Sequence, residues 1–203
     1  MVEKMIEIRL SERDFDYEIQ ALTGGFFPGQ ICRIQIEGEE EEKGVEEPDV
    51  YVSVTMKQAL IQCCVKGRNG QQVCGQTEVS GEQDFHKHAG KTAHPYRTYY
   101  KNKLKSLIFR QIRDFIEAGY AETVSHTIPV WGTMTGVRPT KIPMNLLLDG
   151  VPYEQVCRQL QEEYQCSGQK AELCMQIAAK EAGLLEQTDY QNAYSLYIGI
   201  PFC

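Results

Sequence analysis

Between Val50 and Val79 apolar residues return at roughly every second position, and from Thr98 onward they return every third or fourth. Alternation marks a half-buried strand and a 3.6-residue repeat marks an amphipathic helix, so this change of period fixes the broad outline. The first half reads as a sheet with few helices and the second half as helical, giving an α+β chain. Strands are expected over Met5 to Leu10, Ile31 to Ile36, Val50 to Met56, Ala59 to Val65 and Gln72 to Val79. The expected sheet is small and antiparallel. Asn69-Gly70 marks a tight hairpin in which both turn positions need positive φ. A helix-like run from Phe15 to Phe27 is expected to break at Gly24-Gly25.

The helical half opens on a strongly patterned segment. From Thr98 to Ile116, Leu104, Leu107, Ile108, Ile112, Phe115 and Ile116 share one face. The other face carries Lys101, Lys103, Lys105, Arg110 and Arg113, either a solvated basic face or a site for an anionic partner. Further helices are expected from Pro139 through Leu148, over Glu154 to Tyr164 and over Gln169 to Leu185. Leu173, Ile177 and Leu184 supply part of the last helix's apolar stripe, with Ala171, Ala178 and Ala182 as small packing residues. A linker over 186–193 then feeds a short strand, Ser195 to Ile200, which Pro201 ends because it cannot donate to a ladder. These readings divide the chain into an α+β domain (1–95), a helical region (96–190) and a strand followed by Cys203 (191–203). The acidic run at 38–48 has almost no apolar content and reads as a solvated loop without calcium-loop spacing.

The chain has 203 residues and a net charge of -7, which argues against nucleic acid as a partner of the whole surface. Its start lacks the apolar core of a signal peptide, and no apolar stretch is long enough to span a bilayer. A cytoplasmic location is expected. Most of the eight cysteines are then expected to be reduced. Cys32, Cys63, Cys64, Cys74, Cys157, Cys166 and Cys174 read as small buried hydrophobes. A zinc site from Cys63, Cys64, Cys74 and a histidine is weak, because neighbouring strand residues point to opposite faces. His86, His88 and His94 read as part of a surface loop.

Between the basic helix and the later ones lies Pro129-Val130-Trp131-Gly132-Thr133-Met134-Thr135-Gly136-Val137-Arg138-Pro139-Thr140-Lys141, with the only tryptophan of the chain. Gly136 is positioned to supply a conformation closed to other residues, and Pro139 suits a first helical turn. Arg138 and Lys141, beside free N–H groups at a helix start, suit an anion such as a carboxylate or phosphate. The alternative is a buried tryptophan anchoring a turn whose basic residues face water.

Trp131 to Lys141, together with Tyr197-Ile198-Gly199-Ile200-Pro201-Phe202-Cys203, resembles the clostridial and bacillar coproporphyrinogen III dehydrogenases, oxygen-independent enzymes of the radical S-adenosylmethionine superfamily. Lys101-Asn102-Lys103-Leu104-Lys105 resembles the same family. The resemblance covers roughly residues 95 to 203 well and the first 90 only in general layout. It implies a partial α/β barrel of which 195–200 is the first strand. It also implies a [4Fe-4S] cluster held by a CxxxCxxC motif whose first cysteine is Cys203, with Tyr197 beside S-adenosylmethionine. The implied reaction takes hydrogen from two propionates of coproporphyrinogen III, which lose carbon dioxide to become vinyls, and it needs a reducing electron donor. Because the sequence stops at Cys203, before the second and third cysteines, the segment alone is expected to be inactive and to hold no cofactor. Arg138, Lys141 and the basic helix are the expected contacts to substrate carboxylates. A free-standing α+β binding module and a haem-trafficking relative are the alternatives.

Overall fold

The computed structural model describes residues 4–40, 47–57, 59–79, 95–136 and 138–187, then 189, 192, 194, 196, 198 and 199, with 95 and 96 by backbone alone. In chain order the elements are β1 (Met5–Leu10), α1 (Asp16–Phe26), β2 (Ile31–Ile36), β3 (Val50–Met56), β4 (Leu60–Gly67) and β5 (Gln72–Glu78), followed by α2 (Pro95–Glu117), α3 (Lys141–Leu148), α4 (Tyr153–Glu162) and α5 (Gly168–Glu186). The strands form one sheet in the order β2-β1-β3-β4-β5. β1 is parallel to β2 and to β3, whereas β3-β4 and β4-β5 are antiparallel. The α+β class holds, but the sheet is mixed where an antiparallel one was expected. Helix α1 is the cause: it returns the chain so that β2 starts at the same end as β1, as a parallel pair requires.

Helix α1 also runs unbroken through Gly24-Gly25, contrary to expectation. A helical glycine costs about 1 kcal/mol relative to alanine. Burial of Ile19, Leu22 and Phe26 on the sheet offsets that cost, since each such side chain contributes roughly 1.5–3 kcal/mol.

Alternation puts Ile6, Ile8 and Leu10 beside Val50, Val52 and Val54, and Val52, Val54 and Met56 beside Val65, Cys63 and Ile61, all on one face. Helices α1 and α2 cover that face. Leu104, Ile108, Ile112 and Phe115 of α2 are fully buried, and Phe109 meets Phe26 with ring centroids 4.8 Å apart. The sheet's other face is polar. There Glu7, only 2% exposed, accepts hydrogen bonds from Arg33 and Arg9. Burial pushes its carboxyl pKa up, but the two arginines outweigh burial and hold it below the usual value.

The β4–β5 hairpin differs from the two-residue turn expected. Gly67 N–H donates to Gln71 C=O at 2.9 Å, so the loop is Arg68-Asn69-Gly70 and only Gly70 has positive φ, 84°. A three-residue loop of this kind needs one left-handed residue at its end. The same register sets Cys64 opposite Cys74, and their sulfurs are bonded. Those two are therefore not reduced, buried hydrophobes, and Cys74 is exposed. Cys32, Cys63, Cys157, Cys166 and Cys174 are free thiols. Among the described residues no group of three or more His, Cys, Asp or Glu is placed to hold a metal. Cys63 points into the core at 1% exposure, away from the Cys64–Cys74 bond, which removes the zinc reading. His86, His88, His94 and most of the acidic run lie outside the described residues.

Helices α3, α4 and α5 enclose a second apolar cluster around Met134, Val156, Leu160, Ala171, Cys174 and Met175. Helix α5 packs through Ala171, Ala178 and Ala182, whose small side chains permit close approach. Leu173, Ile177 and Leu184, expected to pack, are instead exposed. Among the described residues no helix is long and apolar enough to cross a membrane.

Candidate functional site

The segment that carries the resemblance sits where the two apolar clusters meet. Thr127 N–H donates to Phe26 C=O at 2.8 Å, which ties the entry of the segment to the end of α1. The chain then turns sharply, with Gly132 N–H on Pro129 C=O at 3.0 Å and Met134 N–H on Trp131 C=O at 3.1 Å. Gly132 occupies the left-handed region, φ 59°, and a Cβ there would lie 2.0 Å from Tyr164 O and 2.4 Å from Gln165 C. The conformational role expected of Gly136 thus falls on Gly132; Gly136 has open space around it and no positive φ.

Absence of that side chain lets two backbones touch. Thr133 N–H donates to Tyr164 C=O at 2.7 Å, and Ser167 N–H donates to Val130 C=O at 3.0 Å. The loop between α4 and α5 is thereby clamped onto the segment, and Ser167 caps α5 by accepting from Lys170 N–H at 3.4 Å. From α5, Lys170 Nζ lies 5.2 Å from the centre of the half-buried Trp131 ring.

Helix α2 supplies the other wall. Asn102 Nδ2 reaches Tyr164 Oη at 3.5 Å and Arg113 reaches Gln165 Oε1 at 3.4 Å. Lys105 Nζ donates to Thr135 Oγ1 at 3.0 Å. Lys105, on the face read either as solvated or as a site for an anionic partner, is only 8% exposed. Among the described residues no carboxylate comes within ion-pair distance of it. Burial, reinforced by Lys101 and opposed by Glu18, lowers its pKa to about 8. Lys101 itself makes a loose pair with Glu18 at 3.9 Å.

The two basic residues expected to bind carboxylates follow Thr135 in the segment itself. Arg138 pairs with Glu181 of α5 at 3.5 Å and keeps 60% of its side chain exposed. Lys141 is exposed at the first turn of α3, which begins after Thr140 and not at Pro139. Lys105, bonded to Thr135, and Lys170, over Trp131, rim the segment, which itself carries Arg138 and Lys141, with Glu181 paired to Arg138. Such a rim attracts anions and donates charge-assisted hydrogen bonds to carboxylates. Sequence reading missed Lys170, whose place over Trp131 depends on a loop about thirty-five residues away.

Tyr197 and Cys203 lie outside the described residues. The described free cysteines do not suit an iron–sulfur cluster, which needs several thiolates at one point. Burial pushes Cys63 up to about 12 and Cys166 up to about 11, which keeps both as thiols.

No family model matches the chain. It is 32% identical over 99 residues to the oxygen-independent coproporphyrinogen-III oxidase-like protein HemZ of Bacillus subtilis (strain 168), a match covering 47% of this chain and 20% of that protein. The chain thus spans about a fifth of the length of this curated relative, and what it is similar to is a coproporphyrinogen-III oxidase-like protein.

Proposed function

We propose that the chain is part of an oxygen-independent coproporphyrinogen-III oxidase-like protein, and that its 131–141 segment with the facing residues of α2 receives carboxylates of the porphyrinogen substrate. The observation that carries this reading is Lys105. A buried ammonium with a hydroxyl as its hydrogen-bond partner costs stability, and an arriving carboxylate would repay that cost. Similarity to HemZ supports the choice of a porphyrin tetracarboxylate as the anion. On this reading Cys203 contributes one thiolate to an iron–sulfur cluster and Tyr197 lies beside S-adenosylmethionine, with a reducing electron donor as partner. On this reading the described residues contribute to substrate binding, and the decarboxylation belongs to the cluster and its cofactor.

The test uses coproporphyrin III, the air-stable oxidised form, titrated into the 203-residue chain while Trp131 emission is followed. Arg138→Glu with Lys141→Glu is expected to weaken binding about tenfold or more, because each reversal replaces an attraction at the rim by a repulsion. The same porphyrin esterified at its carboxylates should leave the emission unchanged. Equal affinities for wild type and double variant would remove these residues from the site. Arg138 has a second role that the Glu181 pair supports, holding the segment to α5, so Arg138→Gln is the milder companion variant.

A further inference from the structure

A different face of the molecule carries chemistry that the porphyrinogen reading does not use. Cys64 and Cys74 face each other across β4 and β5 with Cα atoms 4.1 Å apart. Gly67 and Gln71 form a hydrogen-bonded pair at the end of the hairpin. Antiparallel pairs alternate, so 66–72 is non-hydrogen-bonded, 65–73 hydrogen-bonded and 64–74 again non-hydrogen-bonded. Side chains come closest at non-hydrogen-bonded pairs, with Cα atoms about 4.5 Å apart. The strand pairing itself therefore brings the two sulfurs together, with or without a bond between them.

Position on the sheet makes this pair accessible. Both side chains project from the face that α1 and α2 leave open, Cys74 exposed and Cys64 half-buried. An open cleft of about 490 Å³ lies over them, lined by Ser53, Thr55, Gln62 and Gln76 among others. The free thiols differ. Cys63 and Cys166 are buried with raised pKa values, and burial also raises Cys32 and Cys174. A thiolate is the species that exchanges, so these are poor reactants. With five described cysteines free, the chain is not a disulfide-built scaffold.

We propose that Cys64 and Cys74 form a reversible thiol–disulfide exchange couple on the open face of the sheet, with a dithiol as co-reactant. One thiolate of the dithiol attacks Sγ of Cys74, the more exposed sulfur. The Cys64–Cys74 bond breaks, and Cys64 leaves as a thiolate that takes a proton from water. Lys66, two residues on and on the same face, is a cation beside that leaving group. The second thiolate of the dithiol then attacks its own sulfur in the mixed disulfide and releases Cys74. The dithiol loses two electrons and the pair gains two. Reduction unclips β5, an edge strand, from β4 while leaving the register in place.

The experiment equilibrates the folded 203-residue chain in buffers of reduced and oxidised dithiothreitol, quenches with acid, and alkylates under denaturing conditions for peptide mass analysis. Cys64 and Cys74 are expected to gain and lose label together. Each tenfold change in the buffer ratio should move their reduced-to-oxidised ratio about tenfold, as one two-electron couple. Cys63, Cys157, Cys166 and Cys174 should be fully labelled throughout. In Cys64→Ser, whose side chain lies outside the core, Cys74 should label at every ratio. Full labelling of both cysteines at the most oxidising ratio would overturn the proposal. So would a bond that yields only after the chain is unfolded, which would make it a fixed staple.

Discussion

Gly132→Ala is expected to destabilise the protein by about 4 kcal/mol, the sum of a left-handed alanine and an overpacked contact. The clash is with backbone, since the new Cβ would lie 2.0 Å from Tyr164 O and 2.5 Å from Gln165 O. No rotamer relieves it. The turn would have to withdraw, and with it the Thr133–Tyr164 and Ser167–Val130 hydrogen bonds that hold the α4–α5 loop. Trp131 is the sole tryptophan, so urea unfolding followed by its emission reports directly on this joint. Gly136→Ala is the matched control: it meets open space and should change stability by less than about 0.5 kcal/mol. Equal midpoints for the two variants would show that the backbones do not touch as described.

Lys105→Met should make the protein more stable at pH 7, on the order of 2 kcal/mol once screening at the outer end of the side chain is discounted. It should also weaken coproporphyrin III binding. The ammonium is disfavoured by burial and by Lys101, and favoured by Glu18. Its pKa falls from 10.5 in the open chain to about 8 in the fold, so between those values the unfolded chain holds more protons. The destabilisation is therefore complete below pH 8 and fades as pH rises toward 10.5. Cys63 and Cys166 act in the opposite sense, since their raised pKa values make the fold weaker as pH climbs past 9. For that reason the quantity to follow is the difference between variant and wild type in urea unfolding at pH 7, 8, 9 and 10. The gap should be widest at pH 7 and narrow steadily. The lost hydrogen bond to Thr135 offsets little of it, because that hydroxyl is exposed. A variant less stable than wild type at every pH would mean that Lys105 serves the fold, and the carboxylate reading would lose its main support.

Legibility from sequence followed locality. Val50 to Met56 could be read as a strand because its alternate residues are buried one by one, and Leu104 to Phe115 as a helix because one face is apolar. Parallel pairing of β1 with β2 was not legible, since alternation is the same in either direction and only the path of α1 decides. Lys105 sits one turn from Lys101 on what resembles a solvated face, but Thr135, thirty residues on, helps to close over it. In α5 the count of large apolar residues misled, because that helix packs by its alanines and leaves Leu173 and Ile177 outside. Cys64 and Cys74 are equidistant from Asn69, so their meeting was readable from the hairpin, but only with the correct loop length. The resemblance of the 131–141 segment agrees with the similarity to HemZ at the level of a coproporphyrinogen-III oxidase-like protein. The roles of Tyr197 and Cys203 rest on that resemblance alone.

The most direct measurement is hydrogen exchange of the 203-residue chain with and without coproporphyrin III, read by peptide across residues 131–141 and 97–117. Carboxylate binding at this rim predicts slower exchange in both stretches, with β3 and β4 unchanged. Identical exchange in those stretches at saturating porphyrin would contradict it, leaving the segment as a joint between two apolar cores.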